Sequence, residues 1–330
     1  MDKSVKQGPC RLPGYSARPP TSAAHPTDAP PPVQSGIAYA ALAYFLWGLF
    51  PLYFRLLAAV DPLEVLAHRF VWSVAFLLLL LAGLRRWAWL RPALTSPRVL
   101  GLFALSALLL SVNWFVYIWA ITHGRVLEAS LGYFITPLAN VLTGRLVLGE
   151  RLRPAQWAAV ALAAAGVLWM TWQMGSLPWV SLVLAASFAS YGLVRKTAPL
   201  GALEGLTLET LLLGPLALVG LLWASAQGLA AFPVAGRDLQ ALLIASGPVT
   251  AVPLLLFAAG ARRIPLSVLG MLQYIGPTIQ WLLAVWLFHE PFAGARLQGF
   301  VLIWCACAVF SAELWWRSRQ PAPGVAGGSA

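Results

Sequence analysis

The sequence predicts an all-α integral membrane protein with ten transmembrane helices, arranged as two inverted five-helix repeats. Three observations lead to this prediction. Hydrophobic residues make up 60% of the chain and charged residues only 10%, which is far from the composition of soluble domains. The 330 residues divide into about ten apolar runs, each long enough to cross a bilayer as a helix. A set of residues also recurs 140 positions later, as expected of a duplicated bundle.

The apolar runs are each roughly 18–23 residues long, and the short connections between them leave no room for a soluble catalytic domain. They lie near residues 36–55, 64–84, 99–120, 127–148, 155–172, 178–194, 205–225, 239–260, 267–288 and 296–316. This spacing divides the chain into a first repeat over 36–172 and a second over 178–316.

The two ends of the chain differ from the rest. Residues 1–35 contain eight prolines and no apolar run, so they do not form a signal peptide, which requires a continuous apolar segment. We expect a disordered cytoplasmic tail there and a second one over 317–330, which is rich in Gly and Ala.

The 140-residue repeat carries a mechanistic implication. Its matching residues are Ile135, Pro137, Leu142 and Glu150 in the first copy, and Ile275, Pro277, Leu282 and Glu290 in the second. With five spans per copy, the second half enters from the opposite face, and such inverted pairs support alternating access. Pro137 and Pro277 should kink helices 4 and 9 and free the carbonyls four residues earlier, either toward a cavity or toward a nearby hydroxyl.

Two further features of the repeats concern packing. Helix 5 carries a run of alanines ending in Gly166, and small residues allow close helix packing, so helices 5 and 10 are expected to be packing elements. Gly149 and Glu150 end helix 4, and we expect the glycine to cap that helix and the acid to cap the next one.

The net charge of +11 reflects membrane topology and does not indicate nucleic-acid binding. Of the 22 Lys and Arg residues, 17 fall in the tails and connections on one side, four on the other, and Arg69 lies within a helix. Positive charge concentrates on the cytoplasmic side of bacterial membrane proteins. The sequence therefore predicts a multi-pass inner-membrane protein with both termini in the cytoplasm.

Few charged groups lie within the spans, and each is a functional candidate because charge is costly in lipid. Arg69 in helix 2 and Glu209 in helix 7 should lie toward opposite faces of the membrane, so we do not expect them to form a direct ion pair. We expect each to lie at the mouth of the cavity on its own side, as a gate or an electrostatic filter. The alternative is a snorkelling arginine and an interfacial glutamate. Glu209 is the best-placed group for proton coupling; His68 could titrate, but a structural role is the alternative.

Neutral polar and aromatic residues within the spans predict a hydrogen-bonding, weakly charged pocket for a small amphipathic organic molecule. The predicted substrate-binding residues are Trp47, Asn113, Trp114, Tyr117, Tyr133, Gln273 and Tyr274. The alternative role for each is to join helices, because buried amides in lipid need hydrogen-bond partners.

Several short motifs resemble the EamA family of drug/metabolite transporters, over residues 36–316. They are His68-Arg69 with Trp72-Ser73, Asn113-Trp114, Leu127–Phe134, Leu148–Arg151, Gly175–Pro178, Tyr191–Lys196, Glu209-Thr210, Val252–Leu254 and Gln273–Thr278. The resemblance implies a ten-helix inner-membrane carrier in which helices 1–4 and 6–9 line a central cavity and helices 5 and 10 sit aside. It also implies an amino acid, another metabolite or an amphipathic drug as substrate, and it favours export.

Other classes of function fit less well. A lipid-modifying enzyme would need a nucleophile–base pair or a metal cluster, but the sequence has no HExxH motif and its four histidines are scattered. Its three cysteines have no metal-ligand spacing, so no metal or cofactor is expected. A non-transporting membrane subunit and uptake instead of export stay open as alternatives.

Overall fold

The computed structural model describes residues 33–318, apart from residue 124 and the segments 176–177 and 288–294. The described residues therefore include only 33–35 and 317–318 of the two predicted tails. Glu290, the repeat counterpart of Glu150, also lies outside them. The helices are α1 (Val33–Gly48), α2 (Phe50–Leu56), α3 (Pro62–Leu84), α4 (Leu90–Thr95), α5 (Pro97–Thr122), α6 (Val126–Leu146), α7 (Pro154–Met174), α8 (Trp179–Thr197), α9 (Ala202–Ala226), α10 (Arg237–Ala261), α11 (Leu266–Gln273), α12 (Ile275–Leu282) and α13 (Ala295–Ser318). A 3-10 turn (Phe232–Val234) precedes α10, and a π-helical segment (Leu283–Leu287) follows α12.

The prediction of an all-helical membrane protein is confirmed. Within the described ranges, eight helical segments are long and apolar enough to cross a membrane. They correspond to α1 with α2, then α3, α5, α7, α9, α10, α11 with α12, and α13. The other two predicted spans are α6 and α8, which have 21 and 19 residues but carry more polar side chains, and they pack closely against each other.

The two repeat prolines have different effects on their helices. Helix α6 continues through Pro137, whereas the corresponding ninth span is interrupted at Tyr274, between α11 and α12, three residues before Pro277. Close packing joins the two regions, since a Cβ atom on Gly270 of α11 would lie only 2.6 Å from the Pro137 carbonyl oxygen. Glycine is needed there because α6 and α11 approach backbone to backbone.

Helix packing follows a regular pattern of pairs. Helix α6 packs on α8 and on α11, and α1 packs on α10 and α12. Helix α3 packs on both α9 and α10, while α5 packs on α8 and α9. The largest core cluster contains side chains from nearly all of these helices, and smaller clusters lie beside it.

Helices α7 and α13 pack mainly on each other, consistent with the packing role predicted for the fifth and tenth spans. A Cβ atom on Gly166 would lie 2.9 Å from the carbonyl oxygen of Gly299, and one on Gly299 would lie 2.5 Å from Met170 Cγ. The two glycines thus allow the helices to approach closely. This arrangement leaves the remaining helices free to surround a central cavity.

Candidate functional site

A cavity of about 530 Å³ lies between α1, α2, α3, α5, α6, α8, α10, α11 and α12. One end reaches the connection between α2 and α3, where Leu57, Ala58, Val60 and Pro62 form part of its wall. Aromatic and polar residues of the lining are Tyr44, Trp47, Phe50, Phe54, Arg69, Asn113, Trp114, Tyr117, Tyr133, Thr136, Phe188, Thr250, Gln273 and Gln280. The volume lies within the range typical of sites for small organic ligands.

Six of the seven predicted substrate-binding residues lie in this lining: Trp47, Asn113, Trp114, Tyr117, Tyr133 and Gln273. The seventh, Tyr274, does not. Its side chain is 2% exposed, and its hydroxyl donates to the Phe134 carbonyl oxygen at 3.1 Å. The helix break at Tyr274 points this ring into the packing against α6, so the structure assigns it an interhelical bond in place of the predicted contact with substrate.

The amides of Asn113 and Gln273 are held in fixed orientations. Asn113 Nδ2 donates to the Leu184 carbonyl oxygen at 2.9 Å and to Ser187 Oγ at 3.0 Å. Because a primary amide has two N–H donors, its oxygen is the atom available to accept a bond from a solute. Gln273 Oε1 accepts from Asn140 Nδ2 at 3.0 Å, so the glutamine nitrogen is the atom available as a donor.

Two tyrosines form a paired polar face on the cavity wall. The Tyr117 and Tyr133 rings meet edge to face with centroids 5.9 Å apart. Elsewhere in the lining, Trp47 contacts Phe188 with ring centroids 5.9 Å apart. The cavity therefore offers flat apolar faces beside a few hydroxyl and amide groups.

Arg69 supplies positive charge to the lining. Its Nε donates to Thr250 Oγ1 at 2.9 Å. The guanidinium carbon lies 4.5 Å from the ring centroid of Trp114 and 5.3 Å from that of Phe54, distances at which an aromatic face attracts a cation. Arg69 therefore lies in the cavity wall, and its role as an electrostatic filter stays a prediction. Its aromatic neighbours Phe50 and Phe54 were missed in the sequence because nothing in their spacing relates them to it.

Glu209 does not line this cavity. It is 1% exposed and forms an ion pair with Arg195 Nη1 at 3.3 Å. Ser106 Oγ donates to the same carboxylate at 2.5 Å, and Tyr191 Oη at 3.5 Å. The charge count placed Arg195 in a connection, but α8 extends to Thr197, so Arg195 lies in its last turn and reaches back to α9.

His68 also lies outside the cavity lining. It is 5% exposed, its Nδ1 accepts from Trp72 Nε1 at 3.1 Å, and its Nε2 lies 3.8 Å from Glu64 Oε1. The ring packs against Phe232 with centroids 4.8 Å apart. These contacts fit the structural alternative for His68 better than a role at a gate.

No described residue at the end of the bundle opposite the α2–α3 connection lines the cavity, and polar contacts join the helices there; we call it the sealed end. Glu150 accepts from the backbone N–H of Leu266 at 2.7 Å and of Ser267 at 3.1 Å. This corrects the capping prediction, because Glu150 caps α11 instead of α7, the helix that follows it. Arg262 Nη1 also donates to the Ala198 carbonyl oxygen at 2.6 Å, and Lys196 Nζ to the Ala261 carbonyl oxygen at 3.1 Å.

A second, much smaller cavity of about 10 Å³ lies between the large cavity and the buried ion pair. Trp114, Thr250 and Leu254 border both cavities, and Ser73 and Glu209 border only the small one. Its volume is close to that needed for a single water molecule. In the described part of the chain, no group of three or more His, Cys, Asp or Glu side chains could hold a metal ion.

A helical membrane bundle around a half-buried aromatic and polar cavity is the architecture of a membrane carrier. Comparison with known proteins agrees: the EamA-like transporter family matches residues 34–172. An uncharacterized transporter of Pseudomonas aeruginosa is 48% identical, covering 88% of this chain and 98% of its own length. Protein RarD of Streptomyces exfoliatus is 49% identical, covering 84% and 88% of the two chains.

The chain belongs to the EamA-like transporter family and, within it, to the RarD type. It is thus a multi-pass membrane protein and a transporter of the drug/metabolite superfamily. A solved crystal structure also has the same fold, with a TM-score of 0.64 at 22% identity over 87% of this chain and 99% of that one.

Proposed function

We propose that the protein is a secondary transporter that exports a small organic metabolite or drug from the bacterial cytoplasm across the inner membrane, by alternating access. The observation that carries this proposal is the 530 Å³ cavity, which reaches one end of the bundle but not the sealed end, where Glu150 holds the start of α11. A carrier in one of its two end states has this form. The sealed end carries most of the Lys and Arg residues and faces the cytoplasm by the positive-inside rule, so the cavity opens outward.

The pattern of helix contacts supports ten spans in two inverted repeats, over 36–172 and 178–316. If α1 with α2 counts as one span and α11 with α12 as another, each span of the first half has a counterpart five spans later: α6 matches α11 with α12, α8 matches α1, α3 matches α9, and α5 matches α10. The contact between α6 and α8 is then equivalent to the contact of α1 with α11 and α12, and the contact between α3 and α10 is equivalent to the one between α5 and α9. The α3–α9, α6–α11 and α7–α13 contacts each join a span to its own counterpart.

Side-chain contacts repeat the same relation. Arg69 and Glu209 are 140 positions apart, and each bonds a hydroxyl on a helix of the other half: Thr250 at 2.9 Å and Ser106 at 2.5 Å. Thr250 lies on α10 and Ser106 on α5, which are counterparts. One contact borders the outward cavity and the other lies near the sealed end, as expected of equivalent gates in an inverted pair.

We assign the Arg195–Glu209 pair to the cytoplasmic gate, with Glu209 as the group through which a proton would act on transport. Protonation would neutralise the carboxylate and weaken its attraction for Arg195, which favours separation of α8 from α9. The small cavity borders both Glu209 and Thr250. Glu209→Gln tests this role: transport that keeps its dependence on pH in this variant excludes Glu209 as the coupling site.

Transport measurements with matched variants test the proposed function. We would reconstitute the purified protein in liposomes and measure the counterflow of radiolabelled candidates, namely amino acids and amphipathic antibiotics. Asn113→Ala and Gln273→Ala are expected to reduce flux by about ten-fold, because each removes a positioned polar group. Phe115→Ala is the control, since this residue neighbours Trp114 on α5 but is 62% exposed on the outside of the bundle.

Flux that is equal in all three variants would contradict the proposed site. A protein whose variants lose stability but show no flux for any candidate fits the alternative of a non-transporting subunit. The direction of transport is measured in cells that express the protein. Accumulation of the solute in inverted membrane vesicles from these cells supports export, whereas accumulation in the intact cells supports uptake.

A further inference from the structure

The charge of the cavity narrows the chemistry of the solute. Among the described residues that line the cavity, Arg69 is the only charged one, and no Asp or Glu side chain accompanies it. Other arginines differ in this respect: Arg86, Arg125, Arg153 and Arg195 each pair with a glutamate within 3.3 Å. The cavity therefore carries one unpaired positive charge in a low-dielectric setting.

The guanidinium of Arg69 is held in place but not saturated. In the described part of the chain, its one hydrogen-bond partner is Thr250, which takes Nε. Trp114 and Phe54 flank the group through their ring faces, and these contacts fix it without using any N–H donor. A guanidinium has five donors in a planar fork that fits a carboxylate through two parallel bonds, so the two terminal nitrogens are available to a ligand.

We propose that the transported solute is an organic monocarboxylate with an apolar or aromatic body, and that Arg69 binds its carboxylate. This inference rests on the proposed function and names the substrate class of the same cavity. One positive charge matches a monoanion, whereas a phosphate monoester carries nearly two negative charges at neutral pH. The apolar body would lie against the aromatic faces of Trp47 and Phe188, and an amine on the solute is not required.

Three probes that share one body and differ in charge test the proposal. They are 3-phenylpropionate, 3-phenylpropanamide and 3-phenylpropylamine, each titrated against the purified full-length protein while thermal unfolding is followed by tryptophan fluorescence. A ligand that binds the folded state raises the unfolding midpoint, and at a given ligand concentration the rise grows with the logarithm of the affinity. We expect the carboxylate to bind at least about ten-fold more tightly than the amide, because its bonds to arginine are charge-assisted, and the amine to bind more weakly still.

Variants of Arg69 test whether this side chain causes the preference for the carboxylate. Arg69→Gln should reduce the advantage of the carboxylate over the amide to less than about two-fold, and Arg69→Lys should retain part of it, because lysine keeps the charge but loses the fork. Arg55→Gln is the matched control: it makes the same change of charge on the neighbouring helix α2, outside the cavity lining, and should leave the preference unchanged.

The possible results lead to different conclusions. The assignment of an anionic substrate is wrong if the amide or the amine binds as tightly as the carboxylate, or if the preference for the carboxylate survives Arg69→Gln. Neither result contradicts the proposed transport function. If none of the three probes shifts the midpoint at millimolar concentration, and Asn113→Ala and Gln273→Ala have normal flux, then both the substrate class and the proposed site are wrong.

Discussion

Replacing Glu209 with glutamine should destabilise the protein more than any comparable change at an exposed ion pair. Glu209 is 1% exposed and Arg195 is 1% exposed, so glutamine would leave the Arg195 charge buried without its counter-ion. Removing one partner of a buried ion pair typically costs about 3–5 kcal/mol. For a protein of this size, each kcal/mol lowers the unfolding midpoint by about 2 °C, so the expected loss is roughly 6–10 °C.

The assay is thermal unfolding of the detergent-solubilised protein, followed by tryptophan fluorescence. Arg153→Gln serves as the control because Arg153 pairs with Glu313 at 2.9 Å while its own side chain is 49% exposed, and exposed pairs contribute only about 0–1 kcal/mol. The double variant Glu209→Gln with Arg195→Gln should be less destabilised than the sum of the two single variants, since it leaves no unpaired buried charge.

Two results would refute this reasoning. One is a midpoint for Glu209→Gln that lies within about 2 °C of the Arg153→Gln value, a difference of roughly 1 kcal/mol. The other is strict additivity in the double variant, which would mean that the two groups do not interact in the folded state. Either result would also remove the support for a cytoplasmic gate at this position.

Two further predictions follow from packing and hydrogen bonding. Gly205→Ala should lower the unfolding midpoint by several degrees, because its Cβ would lie 2.1 Å from Arg195 Nη1 and overpacking costs about 1–3 kcal/mol. Gly220→Ala is the control in thermal unfolding, since nothing lies within 4 Å of its Cβ. Equal midpoints for the two variants would contradict the close packing of Gly205 against Arg195. Tyr274→Phe should cost about 1 kcal/mol of stability without changing counterflow, whereas Tyr133→Phe should reduce counterflow. A transport defect in Tyr274→Phe that exceeds the one in Tyr133→Phe would contradict the assignment of these two side chains.

The fold class followed from the sequence because membrane helices are specified by local composition. Twenty apolar residues in a row already commit the backbone to a helix, since every N–H and C=O must be satisfied inside the segment. The helix break near Pro277 was predicted for the same local reason. Helix α6 shows the limit of that argument, because it contains Pro137 and still continues as a helix, where close packing on α8 and α11 supports it.

The cavity could be predicted only in part. Asn113, Tyr133 and Gln273 were identified because polar groups in lipid require an explanation, and all three lie in the lining. Tyr274 could not be separated from Gln273 by sequence, because neighbouring residues in a broken helix point in directions that only the tertiary packing determines. Phe54 gave no signal, since an aromatic residue in an apolar run is ordinary.

The partners of the charged residues were beyond sequence reasoning. Depth along straight helices indicated correctly that Arg69 and Glu209 would not meet. It did not identify Arg195 as the partner of Glu209, because that pairing depends on where α8 ends and on the absence of a side chain at Gly205. Contacts such as Glu150 with the start of α11 join residues 116 positions apart, and no local pattern encodes them.

Cysteine accessibility tests the central claim of alternating access most directly. In a background without the native cysteines, Leu66→Cys reports on the cavity wall, and Ala261→Cys reports on the sealed end, where Ala261 is fully buried. Labelling in detergent with a polar maleimide should modify Leu66→Cys rapidly and Ala261→Cys slowly. Adding Glu150→Gln removes a charge that holds α11 and should reverse this order, with faster labelling at Ala261→Cys and slower labelling at Leu66→Cys. Rates that rise together at both positions, or that do not change at either, would contradict alternating access in this protein.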